Sequence, residues 1–232
     1  MTSTDLFLTQ IRHLYGLPEK APGTPDGLPA RDLIALEARL GQPLPDVLRA
    51  YYQALGTCRP LNHACNQLLD VRNEVGLSED GYLVFYEENQ GVIVWGIAAA
   101  DLAPPDPPVH ARYPPATIWE LDSPTLSGFL LTMAIYNGTL GGLPYHANCL
   151  EPLPPALLPY LEANYTELTG LTLQAQRTFT DNFDEVLGVS LNEQGQGTGL
   201  FVGTRHAGRF EHLLALLPPA DWTYIVEQDE EE

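Results

Sequence analysis

The stretch YLVFYEENQGVIVWGI, Tyr82–Ile97, decides the fold. Two runs rich in β-branched and aromatic residues flank Asn89-Gln90-Gly91, a pattern that predicts a β-hairpin. Glu87, Glu88, Asn89 and Gln90 crowd that turn with hydrogen-bonding groups. None of them forms a nucleophile–base pair, and such a display suits recognition better than chemistry.

Upstream, the periodicity is helical. Phe7, Ile11, Leu14 and Tyr15 recur on one face of a helix over Thr4–Tyr15, which Gly16 and Pro18 stop. Residues 17–29 carry four prolines and read as loop. Arg31–Leu40 forms a second helix with Leu33, Leu36 and Leu40 inward and Gly41 just past its end. A third opens at Pro45, a residue suited to the first helical position, and carries Leu44, Leu48, Tyr51 and Leu55 to Gly56. The pair makes a helical hairpin. A short strand or turn is expected near Leu68–Val75.

Downstream of the hairpin, six prolines fall within residues 103–116, a density that argues against helix or central strand. Ala116–Leu121 reads as a strand. Asp122 or Ser123 then caps a helix with Pro124 at its first position and Leu126, Phe129, Leu130 and Met133 on its buried stripe, ending at Asn137-Gly138. Beyond Gly142 the pattern gives a helix around Ala156–Leu168, strands over Leu171–Thr180, Val186–Asn192 and Leu200–Thr204, a helix over Gly208–Leu217 and a strand Trp222–Val226. Short strands joined by turns, with helices at both ends, predict an α+β fold with a mostly antiparallel sheet flanked by helices. Residues 1–142 are expected to form one domain, and 143–232 an α/β extension packed on it, with an acidic tail at 227–232.

Eleven basic against thirty acidic residues leave a net charge of −19. That field repels phosphate backbones and disfavours direct nucleic-acid binding, while it attracts basic proteins; it serves solubility equally well. No apolar run nears the roughly 20 residues that span a bilayer. The N-terminus, with Asp5 early and no basic-then-apolar stretch, reads poorly as a signal peptide, so a cytoplasmic protein without membrane partners is expected.

Cys58, Cys65 and Cys149 are odd in number, which argues against a disulfide framework. Cys58, His63 and Cys65, with His146 or Cys149, lack the paired short spacing of zinc sites, so no metal and no cofactor are expected. Gly195, Gly197 and Gly199 lie between two strands and read as a hairpin turn, not a phosphate loop. His206 and His212 are spaced as surface residues. Asp101, Asp106 and His110 form the one acid–base cluster that suits a hydrolase, and they lie in proline-rich loop. Trp95 and Trp119 are each placed in a strand; core packing is their plain role, and a partly exposed aromatic anchor the alternative.

The order of these features resembles the SMI1/KNR4 family, the SUKH superfamily, over roughly residues 30–140. The resemblance rests on LIALEARLGQPLPDVLRAYYQALG (Leu33–Gly56), YEENQGVIVWGI (Tyr86–Ile97) and LSGFLLTMAIYNG (Leu126–Gly138). Its matching residues are Leu36, Glu37, Gly41, Leu44, Pro45, Gly56, Glu88, Asn89, Gln90, Trp95 and Gly96. Gly56-Thr57 departs from the Gly-Gly that often follows the third helix. The resemblance implies a non-enzymatic protein-binding module, an immunity protein that neutralises a cognate toxin of nuclease or deaminase type; the alternative is an intracellular regulatory scaffold. On this reading a basic toxin domain docks on an acidic face to which Tyr86, Glu87, Glu88, Asn89, Asp101 and Asp106 contribute.

Overall fold

In the computed structural model, which describes residues 3–18, 26–169 and 176–227, the expected hairpin is present as β3 (Tyr82–Glu87) and β4 (Val94–Ala98). The two strands pair antiparallel from Tyr82 opposite Ala98 to Glu87 opposite Val94, with a bulge between Val84 and Tyr86. That bulge turns both Phe85 and Tyr86 inward, where each is fully buried. The hairpin grows into a sheet of β1 (Gln67–Leu68), β3, β4, β5 (Val109–Arg112) and β6 (Glu120–Ser123), in that order, with β2 (Gly76–Leu77) pairing β3.

β5 corrects the reading of the proline-rich segment, because it is an interior strand between β4 and β6. Pro107 and Pro108 stop before it and Pro114 and Pro115 lie after it, so its four residues keep every N–H the ladder needs. β6 starts four residues later than expected, and Trp119 lies outside it.

Four helices precede this sheet: α1 (Ser3–Tyr15), α2 (Ala30–Leu40), α3 (Asp46–Leu55) and the single turn α4 (Arg59–Asn62). Gly41 ends α2 in the left-handed region at φ +72°, its N–H donating to the Glu37 carbonyl at 2.9 Å. The Glu37 carboxylate then accepts the Leu44 N–H at 2.9 Å and pairs with Arg49, which fixes the angle between α2 and α3. Pro45 stands one place earlier than expected, as the cap residue with ψ 140°.

α5 (Leu126–Asn137) is apolar on nearly every side and is buried accordingly. Phe129 meets Phe85, Tyr86 and Trp95 of the sheet at centroid separations of 5.5–5.7 Å, and Tyr15 Oη of α1 donates to the Ala134 carbonyl at 2.8 Å. The helix therefore forms a central layer between sheet and outer helices. Its cap is Thr125, whose side chain accepts the Gly128 N–H at 3.2 Å, in place of Asp122 or Ser123. Each fully buried leucine here, such as Leu36, Leu48 or Leu130, contributes on the order of 1.5–3 kcal/mol.

The remaining strands make a second antiparallel sheet in the order β12 (Tyr224–Glu227), β7 (Tyr145–Cys149), β11 (Gly197–Thr204), β10 (Glu185–Leu191), β9 (Gln176–Asp181) and β8 (Thr166–Glu167). The fold is α+β, its antiparallel strands divided between two sheets instead of one. α6 (Leu157–Asn164) and α7 (Ala207–Leu214) give this sheet a core of its own, with Leu161, Phe210 and Leu213 against Phe179, Leu187, Val189, Leu200 and Val202. Residues 171–175 of the expected strand and 228–232 of the acidic tail lie outside the described residues.

Two features join the halves. At the β9–β10 turn, Asn182 and Phe183 adopt φ of +52° and +62°, and Phe183 enters the core of the first half beside Val186. Asp184, the next residue, accepts from His13 of α1 at 3.0 Å and from Arg209 of α7 at 3.2 Å.

Candidate functional site

The first sheet has one covered and one open face. Leu83, Phe85, Trp95, Ile97, Val109 and Ala111 point towards α5 and are buried. Alternation puts Tyr82, Val84, Glu87, Val94, Gly96, His110 and Arg112 on the other side, where the side chains are half-exposed or Gly96 leaves a gap.

Across that gap lies Trp119. Its indole stacks on Tyr82 with centroids 4.2 Å apart and planes 11° from parallel. A Cβ built on Gly96 would meet the ring at 3.1 Å, so the glycine makes room for the indole. Trp119 Nε1 donates to Asp80 Oδ2 at 2.7 Å, and Arg112 Nη1 donates to the same oxygen at 3.1 Å. The Arg112 guanidinium lies over the indole at 5.0 Å, a cation–π contact. Hydrogen bonds from Ser78 and Trp119, with the Arg112 charge, hold the Asp80 carboxyl below its usual pKa despite some desolvation. His110 meets the Tyr82 ring edge-on at 5.6 Å.

Around this platform the surface is apolar and acidic together. Ile118 and Leu121 are 71% and 63% exposed, Glu79 is exposed, and Glu87 is half-buried. A rigid aromatic held by three directed contacts, beside exposed aliphatics and carboxylates, is equipped for docking on another macromolecule.

The residues nominated from sequence are distributed differently. Tyr86 is fully buried; its hydroxyl accepts from Asn137 Nδ2 at 3.2 Å, so it offers no surface to a partner. Glu88 turns its carboxylate back on its own loop, accepting the Gln90 N–H at 2.8 Å and the Val92 N–H at 3.3 Å. Asn89 is exposed and donates to Cys65 Sγ at 3.5 Å. Asp101 sits half-buried in a short 3-10 turn. Asp106 holds the start of α5, accepting from Ser127 N at 2.8 Å and Ser127 Oγ at 2.6 Å. Those bonds occupy both of its carboxylate oxygens, while His110 turns to Tyr82; the nominated acid–base cluster is not assembled. Glu87 alone of the six displays its carboxylate on the open face.

The cysteines and histidines are likewise dispersed. Cys58 and His63 line a cleft of about 470 Å³ with Tyr15 and Leu143, and burial pushes the Cys58 thiol up. Cys65 faces Asn89, while His146 and Cys149 belong to β7 of the other sheet. Among the described residues no three His, Cys, Asp or Glu side chains are grouped to hold a metal ion. No helix among them is long and apolar enough to cross a membrane.

A denser charge cluster surrounds Asp184, where His13, Arg205, His206 and Arg209 converge within 3.5 Å. Partial burial pushes the Asp184 pKa up, but the His13 bond and the Arg209 and His206 charges prevail and hold it low. His13 of α1 meets this cluster of second-half charges at the junction of the two halves, which is a structural role.

Sequence reasoning missed Asp80, Tyr82 and Arg112 as site residues. A glycine at position 96, inside a strand of β-branched and aromatic residues, was the available signal, since such a position marks close approach by another group. No family model matches this chain, and no curated protein or solved structure matches it.

Proposed function

We propose that this chain is a protein-binding module of the immunity type, which neutralises a cognate basic toxin by covering it and carries out no reaction of its own. The observation that supports this most is the Trp119 platform, an aromatic anchor fixed by Tyr82, Asp80 and Arg112 on an open sheet face. Aromatic residues in such settings carry a disproportionate share of binding energy at protein interfaces. A net charge of −19 fits a basic target, because complementary charge speeds encounter. The resemblance to the SMI1/KNR4 family points to the same class, and of the groups offered for hydrolysis Asp106 holds the start of α5 while His110 packs on Tyr82.

The test is paired affinity capture from the native cell with the wild-type chain and Trp119→Ala. A protein retained by the first and lost by the second is then expressed alone and together with this chain. Growth arrest that co-expression relieves supports the immunity reading. A captured protein that leaves growth unchanged overturns it in favour of a regulatory scaffold.

A further inference from the structure

The first sheet ends at β6, and among the described residues no strand pairs with its outer edge. The opposite end is closed off differently, by β1, a strand of two residues. β6 has four residues and is preceded by a segment without regular secondary structure that carries Ile118 and Trp119. An unpaired strand of this kind presents a row of backbone donors and acceptors to solvent.

Its side chains qualify what such an edge accepts. Leu121 sits opposite His110 on the open face, 63% exposed, and Ile118 is 71% exposed. Glu120 is exposed, and Asp122 is half-buried at the bulge between Val109 and His110. Charged residues and bulges on an edge guard it against other copies of the same chain. Here the guard is uniformly negative on a molecule of net charge −19, so a second copy is repelled while a cationic strand is attracted.

We infer that the outer edge of β6 is the docking site for an extended segment of a basic polypeptide, added to the sheet as a further strand. Its backbone pairs with Glu120–Ser123. One set of alternate side chains packs on Leu121, Ile118 and the rim of Trp119, and lysine or arginine side chains meet Glu120. This deepens the binding reading above and depends on it: it states where the partner enters and in what conformation. Backbone pairing supplies affinity in such additions, and the alternate side-chain contacts supply selectivity.

The probe is a short fluorescent peptide alternating valine and lysine, titrated against the full chain and followed by anisotropy. Two control peptides accompany it, one with glutamate for lysine and one N-methylated at alternate backbone positions, which keeps the charge but removes the donors. The parent peptide should bind at least about tenfold tighter than either control, a difference of about 1.4 kcal/mol. Leu121→Lys and, separately, Glu120→Lys should weaken it to a similar degree with thermal unfolding unchanged, since both positions are exposed. N-methylated peptide binding as tightly as the parent would mean charge attraction alone and overturns the proposal, as would parent-like binding by Leu121→Lys. Loss of the native partner in Trp119→Ala, but not in Leu121→Lys or Glu120→Lys, overturns the edge while leaving the binding module standing.

Discussion

Trp119 lies flat on Tyr82, ring centroids 4.2 Å apart, above the space that Gly96 leaves open. Trp119→Ala removes the stack on Tyr82, the hydrogen bond to Asp80 and the Arg112 cation–π contact, together about 1.5–3 kcal/mol at this part-exposed site, so the melting temperature should fall by several degrees without loss of the fold. Affinity for the captured partner should drop by at least about 30-fold, the 2 kcal/mol of an interface hot spot. Gly96→Val should reproduce the affinity loss, because its side chain would occupy the ring's place. Calorimetric titration and thermal unfolding, run on both variants, check this. A large loss of stability with affinity intact would make the indole a cover for the sheet and nothing more.

Glu87 and Glu88 are neighbours with opposite duties. Glu87 shares a row on the open face with Gln67, Val94 and Arg112, whereas Glu88 braces its own turn. Glu87→Lys should therefore slow association with a basic partner about three- to tenfold at low salt, an effect that shrinks as salt rises, with dissociation little changed. Glu88→Lys should instead lower stability by about 0.5–1.5 kcal/mol per turn hydrogen bond removed. Stopped-flow kinetics at several ionic strengths, beside denaturant titrations, separate the two.

What the sequence made legible follows from how local each signal is. The Tyr82–Ile97 hairpin and the α2–Gly41–α3 turn are set by residues within one or two turns of chain and stand where expected, while the turn at Gly195 is tighter than expected, since Gly197 and Gly199 already belong to β11. The side of a strand that faces solvent is harder, because it depends on what packs from far away. Tyr86 reads as a hairpin residue at the surface, but the bulge at Val84/Tyr86 sends it inward. Asp106 reads as a solvated acid because Ser127, its partner, lies 21 residues on. Trp119 reads as a strand residue because β-propensity cannot distinguish a ring that fills a sheet from one laid across it.

Asp122 couples stability to pH. Burial pushes its carboxyl from an ordinary 3.8 up to about 6, while the nearby Trp95 indole holds the shift down. The folded chain thus keeps a proton that the unfolded chain releases, and the associated stability is fully present below about pH 3.8 and lost as pH rises through 6. Asp122→Asn removes that dependence. After allowance for the side chain's partial exposure, the variant should gain about 1–2 kcal/mol on the wild type between pH 4 and pH 7.5. Urea titrations of both proteins at the two pH values measure it; an unchanged difference between them would show that folding leaves the carboxyl's proton affinity where it was.

Asn137 reads in the sequence as the residue that, with Gly138, stops a helix, yet it is fully buried and joins three parts of the fold. Its Nδ2 donates to the Leu61 carbonyl at 2.8 Å, the Asn66 carbonyl at 2.9 Å and Tyr86 Oη at 3.2 Å, and its Oδ1 accepts the Asn66 N–H at 2.9 Å. α4, the segment before β1 and the hairpin strand β3 are thereby pinned to the end of α5. Truncation to alanine strands these buried groups, each at about 1–3 kcal/mol, and opens a small cavity. Asn137→Ala should cost about 3–5 kcal/mol, while Asn137→Asp, which keeps the volume but replaces the donor with a charge, should cost at least as much. Should both variants unfold at the wild-type denaturant midpoint, the network is relieved by water, and the hairpin is held by the Phe85–Phe129 and Trp95–Phe129 ring contacts alone.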